Sequence, residues 1–153
     1  MILDKLNTFS DAQAVTATAA STNVIDLGPL THGNTVRDIG AGEPVYLFVS
    51  VGAAATAGGA ATVTIALQTD TVENFATPTN LFVSATFALA DMGAGAQLVG
   101  IAVPRGVERY LRLNYTVATG PLLTGTFYAG LVKDLQDIPG VQQYASGFVI
   151  DPV

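Results

Sequence analysis

Cysteine is absent from this chain, which excludes a disulfide framework, a thiolate metal site and a cysteine nucleophile together, so the fold must hold by packing and strand pairing. Histidine occurs once, as His32 in Thr31-His32-Gly33-Asn34. A multi-histidine metal cluster is therefore excluded, and a Ser-His-Asp triad would have to use this residue, which beside a glycine reads as part of a turn. Tryptophan is missing and only five tyrosines are present, so aromatic platforms for a sugar are few. Charge is the scarcest property of all. Asp, Glu, Lys and Arg make up 12% of the 153 residues although 50% are apolar, against a usual charged share of roughly 25%.

A lone soluble domain normally carries charge on the faces it does not bury. Scarce charge therefore points to surface hidden against other chains. The bland alternative is a neutral β-domain rich in Ala and Thr. The formal net charge of −6, with six Lys plus Arg, argues against coating nucleic acid, whose non-specific affinity comes from cations neutralising phosphates. No apolar run is long enough to cross a bilayer as a helix, and Asp4 stands where a secretory signal would carry positive charge. The expectation is a protein made in a cytoplasm, with no nucleic-acid and no membrane partner.

What is present is a two-residue hydrophobic period, as in Val63, Ile65 and Leu67 set against Thr62, Thr64, Ala66 and Gln68; it predicts strands. The same reading places strands at 13–19, 23–27, 44–51, 62–69, 81–88, 97–103, 108–117 and 124–133. Gly28-Pro29, Gly58-Gly59, Thr77-Pro78, Gly93-Ala94-Gly95, Arg105-Gly106 and Gly120-Pro121 punctuate them. No long helical period occurs. Eight short strands predict an all-β domain, an eight-stranded jelly roll built as a two-sheet sandwich, with other Greek-key sandwiches as alternatives. One domain spans 1–153, with a core at about 12–134, an N-terminal arm at 1–11 and a C-terminal arm at 135–153. The low-complexity stretch 53–61 reads as a hairpin tip. Segment 81–89 has no strongly polar face, which predicts burial on both sides or cover by a partner.

The chemical inventory is thin. The carboxylates are scattered, and nothing selects an acid and base pair for glycoside hydrolysis. Asp134-Leu135-Gln136-Asp137 lacks the glycine and closing glutamate of a calcium loop, and Gly93-Ala94-Gly95-Ala96 lacks the Lys and Ser or Thr of a phosphate loop. Asn114-Tyr115-Thr116 matches a glycosylation acceptor but lies within a strand pattern. No catalytic, cofactor-binding or metal-ligating residue is assigned, and the expectation is that the protein is not an enzyme. Arg105, Arg109 and Arg112 supply half of the cations. They form either a positive patch for an acidic partner surface or pairs with Glu108 or a neighbouring-strand Asp.

The opening Met1-Ile2-Leu3-Asp4-Lys5-Leu6-Asn7-Thr8-Phe9-Ser10-Asp11-Ala12-Gln13-Ala14, then Ser21-Thr22-Asn23-Val24-Ile25-Asp26-Leu27-Gly28, resembles the start of the capsid cement proteins of tailed bacteriophages, of the Bordetella podovirus type. The similarity continues through Leu67-Gln68-Thr69-Asp70 and Tyr110-Leu111-Arg112-Leu113-Asn114-Tyr115. The resemblance implies a jelly-roll protein, dimeric, on the outer surface of an icosahedral head. There it would bridge neighbouring capsomers of the major capsid protein, with no cofactor, after assembly in the host cytoplasm. A trimer is the other self-association considered. On this reading the contact residues are Ile2, Leu3, Leu6 and Phe9 of the N-terminal arm, Arg105, Arg109 and Arg112, and Tyr144, Phe148 and Ile150 of the C-terminal arm. The alternative function is a carbohydrate-binding or host-attachment jelly-roll module of a phage virion.

Overall fold

The computed structural model describes residues 4–28, 39 and 43–135. After a 3-10 turn at Lys5–Asn7 come β1 (Thr8–Ala14), β2 (Ala19–Ala20), β3 (Ile25–Asp26), β4 (Tyr46–Val51), β5 (Thr56–Ala57), β6 (Thr62–Asp70), β7 (Thr79–Val83) and β8 (Phe87–Ala88). A second 3-10 turn, Leu89–Asp91, leads to β9 (Gln97–Ala102), β10 (Tyr110–Ala118), β11 (Leu122–Thr124) and β12 (Thr126–Val132). The chain is all-β, as its period implies.

Two antiparallel sheets face each other. One has the order β1-β12-β4-β9; in the other, β10 and β6 form the centre, with β2 and β3 along the β10 edge and β7 and β8 along the β6 edge. Counting β2 with β3 and β7 with β8 as single interrupted edge strands gives eight strands. Their orders are first-eighth-third-sixth and second-seventh-fourth-fifth, the arrangement of a jelly roll. The longest pairing joins β6 to β10 without a register shift, from Tyr110 opposite Asp70 to Ala118 opposite Thr62. Alternation then sends Val63, Ile65 and Leu67 of β6 and Leu111, Leu113 and Tyr115 of β10 inward. Leu47, Val49 and Val51 of β4 and Phe127, Ala129 and Leu131 of β12 meet them from the other sheet. The Tyr115 and Phe127 rings lie 5.3 Å apart, tilted by 32°, a favourable geometry for aromatic pairs.

Three expectations change. The first strand is β1 at Thr8–Ala14 rather than 13–19, so residues 8–11 belong to the sheet and not to an arm. Its sequence, Thr-Phe-Ser-Asp-Ala-Gln-Ala, has no clean alternation. Two register shifts against β12 and a positive φ of 49° at Ala12 explain why. The stretch 53–61 is not a hairpin tip, because β4 and β6 lie in opposite sheets and this segment crosses between them, pairing on the way through β5 with β11. There Gly125 (φ +147°) passes so close to Ala55 that a Cβ would stand 3.2 Å from that residue's Cβ, which reserves the position for glycine. The segment 81–88 divides into β7 and β8, and Val83 is exposed, which removes burial on both sides and leaves cover by a partner as the open alternative.

The β1 side of the sandwich is closed by polar side chains. Ser10 Oγ donates to Gln13 Oε1 at 2.7 Å and lies 2.9 Å from the Tyr115 hydroxyl. With its own hydrogen committed to Gln13, Ser10 accepts from Tyr115. Gln13 Nε2 donates to the Ala20 carbonyl at 2.8 Å, and Gln13 Oε1 also accepts from the Thr22 amide at 2.9 Å. The Asn23 amide donates to the Phe9 carbonyl at 2.9 Å and its side chain to that of Thr8 at 3.2 Å. Burial pushes the Tyr115 hydroxyl up to about 12, against a smaller lowering by Ser10. This network joins both sheets along one side.

Candidate partner-binding surface

Chemistry on this scaffold would need converging polar groups, and among the described residues no three of His, Asp and Glu come together. The informative surface features are faces, grooves and edges. The outer face of the β6–β10 pair carries Thr62, Thr64, Ala66 and Gln68 beside Arg112, Asn114, Thr116 and Ala118. One charge stands among these eight side chains, and Asp70, next on the same face opposite Tyr110, is buried, so the face exposes little charge, as the composition predicts. Asn114 of the glycosylation match lies within it, in mid-strand, with its Nδ2 donating to Thr116 Oγ1 at 3.2 Å.

The N-terminal turn builds a groove. Asp4 caps it, its carboxylate accepting from the Leu6 amide at 3.1 Å and from Asn7 Nδ2 at 3.2 Å, while the Thr8 hydroxyl donates to the Asp4 carbonyl at 2.8 Å. Held this way, Lys5 and Leu6 line a depression of about 470 Å³ with Thr8, Thr22, Asn23, Val24 and Glu73. Leu6 is 67% exposed and Val24 37% exposed there. A smaller hollow of about 210 Å³ continues past Lys5 to Asp11 and Tyr128.

The three arginines differ in their partners. Arg109 makes a bidentate pair with Asp26, Nε to Oδ1 and Nη2 to Oδ2, both at 2.9 Å, and its guanidinium lies 4.8 Å from the Tyr110 ring centre. The bond to Asp26 raises the Arg109 pKa, slightly offset by burial. Both side chains are partly exposed, so solvent screens the pair and it contributes little to stability. This is the neighbouring-strand alternative, since Asp26 of β3 stands opposite Tyr110. Arg112 donates from Nε to Gln68 Oε1 at 2.8 Å and stacks 4.2 Å over the Phe75 ring. Arg105 is exposed and has no ion pair among the described residues.

Phe75 is a feature that periodicity missed. It sits at φ +49° yet is buried to 6% exposure, a conformation that persists only when its surroundings hold it. Arg112 covers it from one side, and Asp70 ties the loop on both sides of it, Oδ1 accepting from the Val72 amide at 3.1 Å and Oδ2 from the Thr77 amide at 3.0 Å. Burial alone would raise the Asp70 pKa, but the amides of Val72, Thr77 and Thr71 outweigh it and the net shift is downward.

Of the predicted contact residues, Leu6 stands exposed beside the groove. Phe9 is corrected: it is fully buried in the core and faces no partner, because β1 turns it between the sheets. Ile2, Leu3, Tyr144, Phe148 and Ile150 lie outside the described residues, as do His32 and all of the C-terminal arm except Leu135. Val24, Val72, Val83 and Leu123 are exposed apolar side chains that sequence reading did not single out, because isolated valines and leucines in strand patterns look the same whether they face in or out.

No curated protein matches the chain. The Bbp16 family model matches residues 9–131, well over half of the 153 residues, running from the second residue of β1 to the penultimate residue of β12 and so through nearly all of the two-sheet core. Its name points to a Bordetella phage protein and to a virion component. The chain belongs to the Bbp16 family.

Proposed function

We propose that this protein is a structural capsid cement, or decoration, protein. It binds the outer surface of an icosahedral phage head and bridges neighbouring capsomers of the major capsid protein, acting as a homodimer assembled in the host cytoplasm. The observation that carries the reading is the outer face of β6 and β10, on which Arg112 is the one charged side chain that is not buried, in a chain of a phage protein family. A weakly charged face loses less on desolvation than a charged one and gains from contact with a matching surface. Cementing needs no catalytic residue and no cofactor. Many modest contacts repeated across a shell add up, because each occupied joint favours the closed form by mass action and neighbouring joints share one rigid lattice.

The test is to add the purified chain to undecorated heads and to measure occupancy and the temperature of rupture. Binding with a raised rupture temperature is expected. Absence of binding, with rupture unchanged, overturns the proposal, and binding to glycans instead transfers the chain to the carbohydrate-binding alternative.

A further inference from the structure

Opposite the sealed β1 side, the sandwich ends in β9 on one sheet and β7 with β8 on the other. Among the described residues the β9 edge has no partner strand, although the Leu135 side chain reaches it, with Cδ1 3.5 Å from where a Cβ on Gly100 would stand. The Val103 amide donates to the Val45 carbonyl at 2.8 Å, and the register pairs Leu47 with Ile101 and Val49 with Val99. Antiparallel pairs alternate between bonded and non-bonded. Residues 99, 101 and 103 therefore spend their amides and carbonyls on β4, while Gly100 and Ala102 point theirs away from the sheet. No described strand pairs with that side, and both residues are exposed.

Natural sheets blunt such an edge with lysine, proline or an inward charge. Here Gln97-Leu98-Val99-Gly100-Ile101-Ala102 has none of these. The open stretch is bounded by a register shift between Val49 and Ser50 on one side and by Pro104, which has no amide hydrogen, on the other. The β7 edge is shorter, follows directly on Pro78 and carries a register shift of its own.

We propose that β9 is the edge on which two copies of this chain join, antiparallel about a two-fold axis at Ile101, to make one continuous sheet across the dimer. This rests on the homodimer in the reading above and names its contact. The occupant is a second copy because the edge is self-complementary. About the Ile101 axis, Gly100 of each copy falls opposite Ala102 of the other, so every outward amide and carbonyl of the pair meets its counterpart. Leu98 falls opposite Pro104, and Arg105 falls opposite the uncharged Gln97, so no like charges meet.

The full chain should sediment as a dimer at micromolar concentration. Ala102→Pro removes an outward amide without touching the bonds to β4 and should raise the dissociation constant about tenfold or more. Gly100→Lys, which places new charge on the same edge and displaces the Gln97 side chain from the space its Cβ would take, should do likewise. The chain has no cysteine, so a mixture of Gly100→Cys and Ala102→Cys copies should form a disulfide-linked heterodimer under oxidation, since directly opposite strand residues lie within disulfide reach. Ala17→Cys, on the far side, should not link. A monomeric wild-type chain overturns the proposal. So does a dimer insensitive to Ala102→Pro and Gly100→Lys that gives no mixed disulfide. Shell occupancy is read separately, so loss of the edge contact and loss of shell binding are told apart.

Discussion

The two long sides of the sandwich are finished in opposite ways. At the β1 side, Gln13, Ser10, Asn23 and Tyr115 tie strand to strand and sheet to sheet with side-chain bonds, and Phe9 fills the space behind them. At the β9 side, Gly100 and Ala102 leave their backbone groups to the outside and Val83 of β7 is 52% exposed. The first arrangement spends polar side chains on self-closure, and the second leaves outward backbone groups that no described strand pairs. In a protein with so few charges, the usual means of protecting an edge are missing, and the sealed side shows that other means were at hand.

The sharpest break of this contrast is Phe9→Ala. Removing a fully buried ring from β1 should cost about 3–5 kcal/mol, read as a shift in the urea midpoint, whereas Val83→Ala on the open side should stay within about 0.5 kcal/mol. Equal losses would mean that the two sides are not differently committed.

Alkaline pH probes the sealed side next. The folded Tyr115 hydroxyl is pushed up to about 12 from an ordinary 10.0, so between these values the unfolded chain releases a proton that the folded chain keeps. Stability is unaffected by this group below pH 10 and falls as pH rises toward 12, by about 2–3 kcal/mol. Denaturant titrations of the wild type and Tyr115→Phe across that range should differ in slope, the variant lacking this part of the decline. Identical slopes would show that the hydroxyl titrates normally.

The smallest loss expected on the sealed side is that of Gln13→Ala, which takes three bonds from the seal and should cost about 1–2 kcal/mol, measured as a lower melting temperature. Because Ser10 keeps Tyr115 as a partner, the loss should be partial. A neutral result would assign the closure of that side to apolar packing alone.

Much of the fold was legible because β4, β6, β9, β10 and β12 each have one face against the core, and burial on one face writes a period of two into the sequence. β1 was shifted because its twist and register changes break that period, and its inward residue, Phe9, then looks like part of a loose terminus. The partner of Arg109 was legible in kind but not in identity. Asp26 lies 83 residues away, and only the pairing of β3 with β10 brings the two carboxylate oxygens to the guanidinium. Phe75 could not have been found, since its position depends on a positive φ held by Asp70 and Arg112 together.

The sequence by itself determined the class of the molecule, since apolar alternation without helical period permits only sheets and the absence of cysteine and near-absence of histidine remove most site chemistry. It also determined that outward faces would be poor in charge. Tertiary structure alone decided which strands are edges, because edge and centre depend on pairing between segments far apart in the chain, and alternation reads the same in both. That decision separates a side closed by its own side chains from one whose outward backbone no described strand pairs.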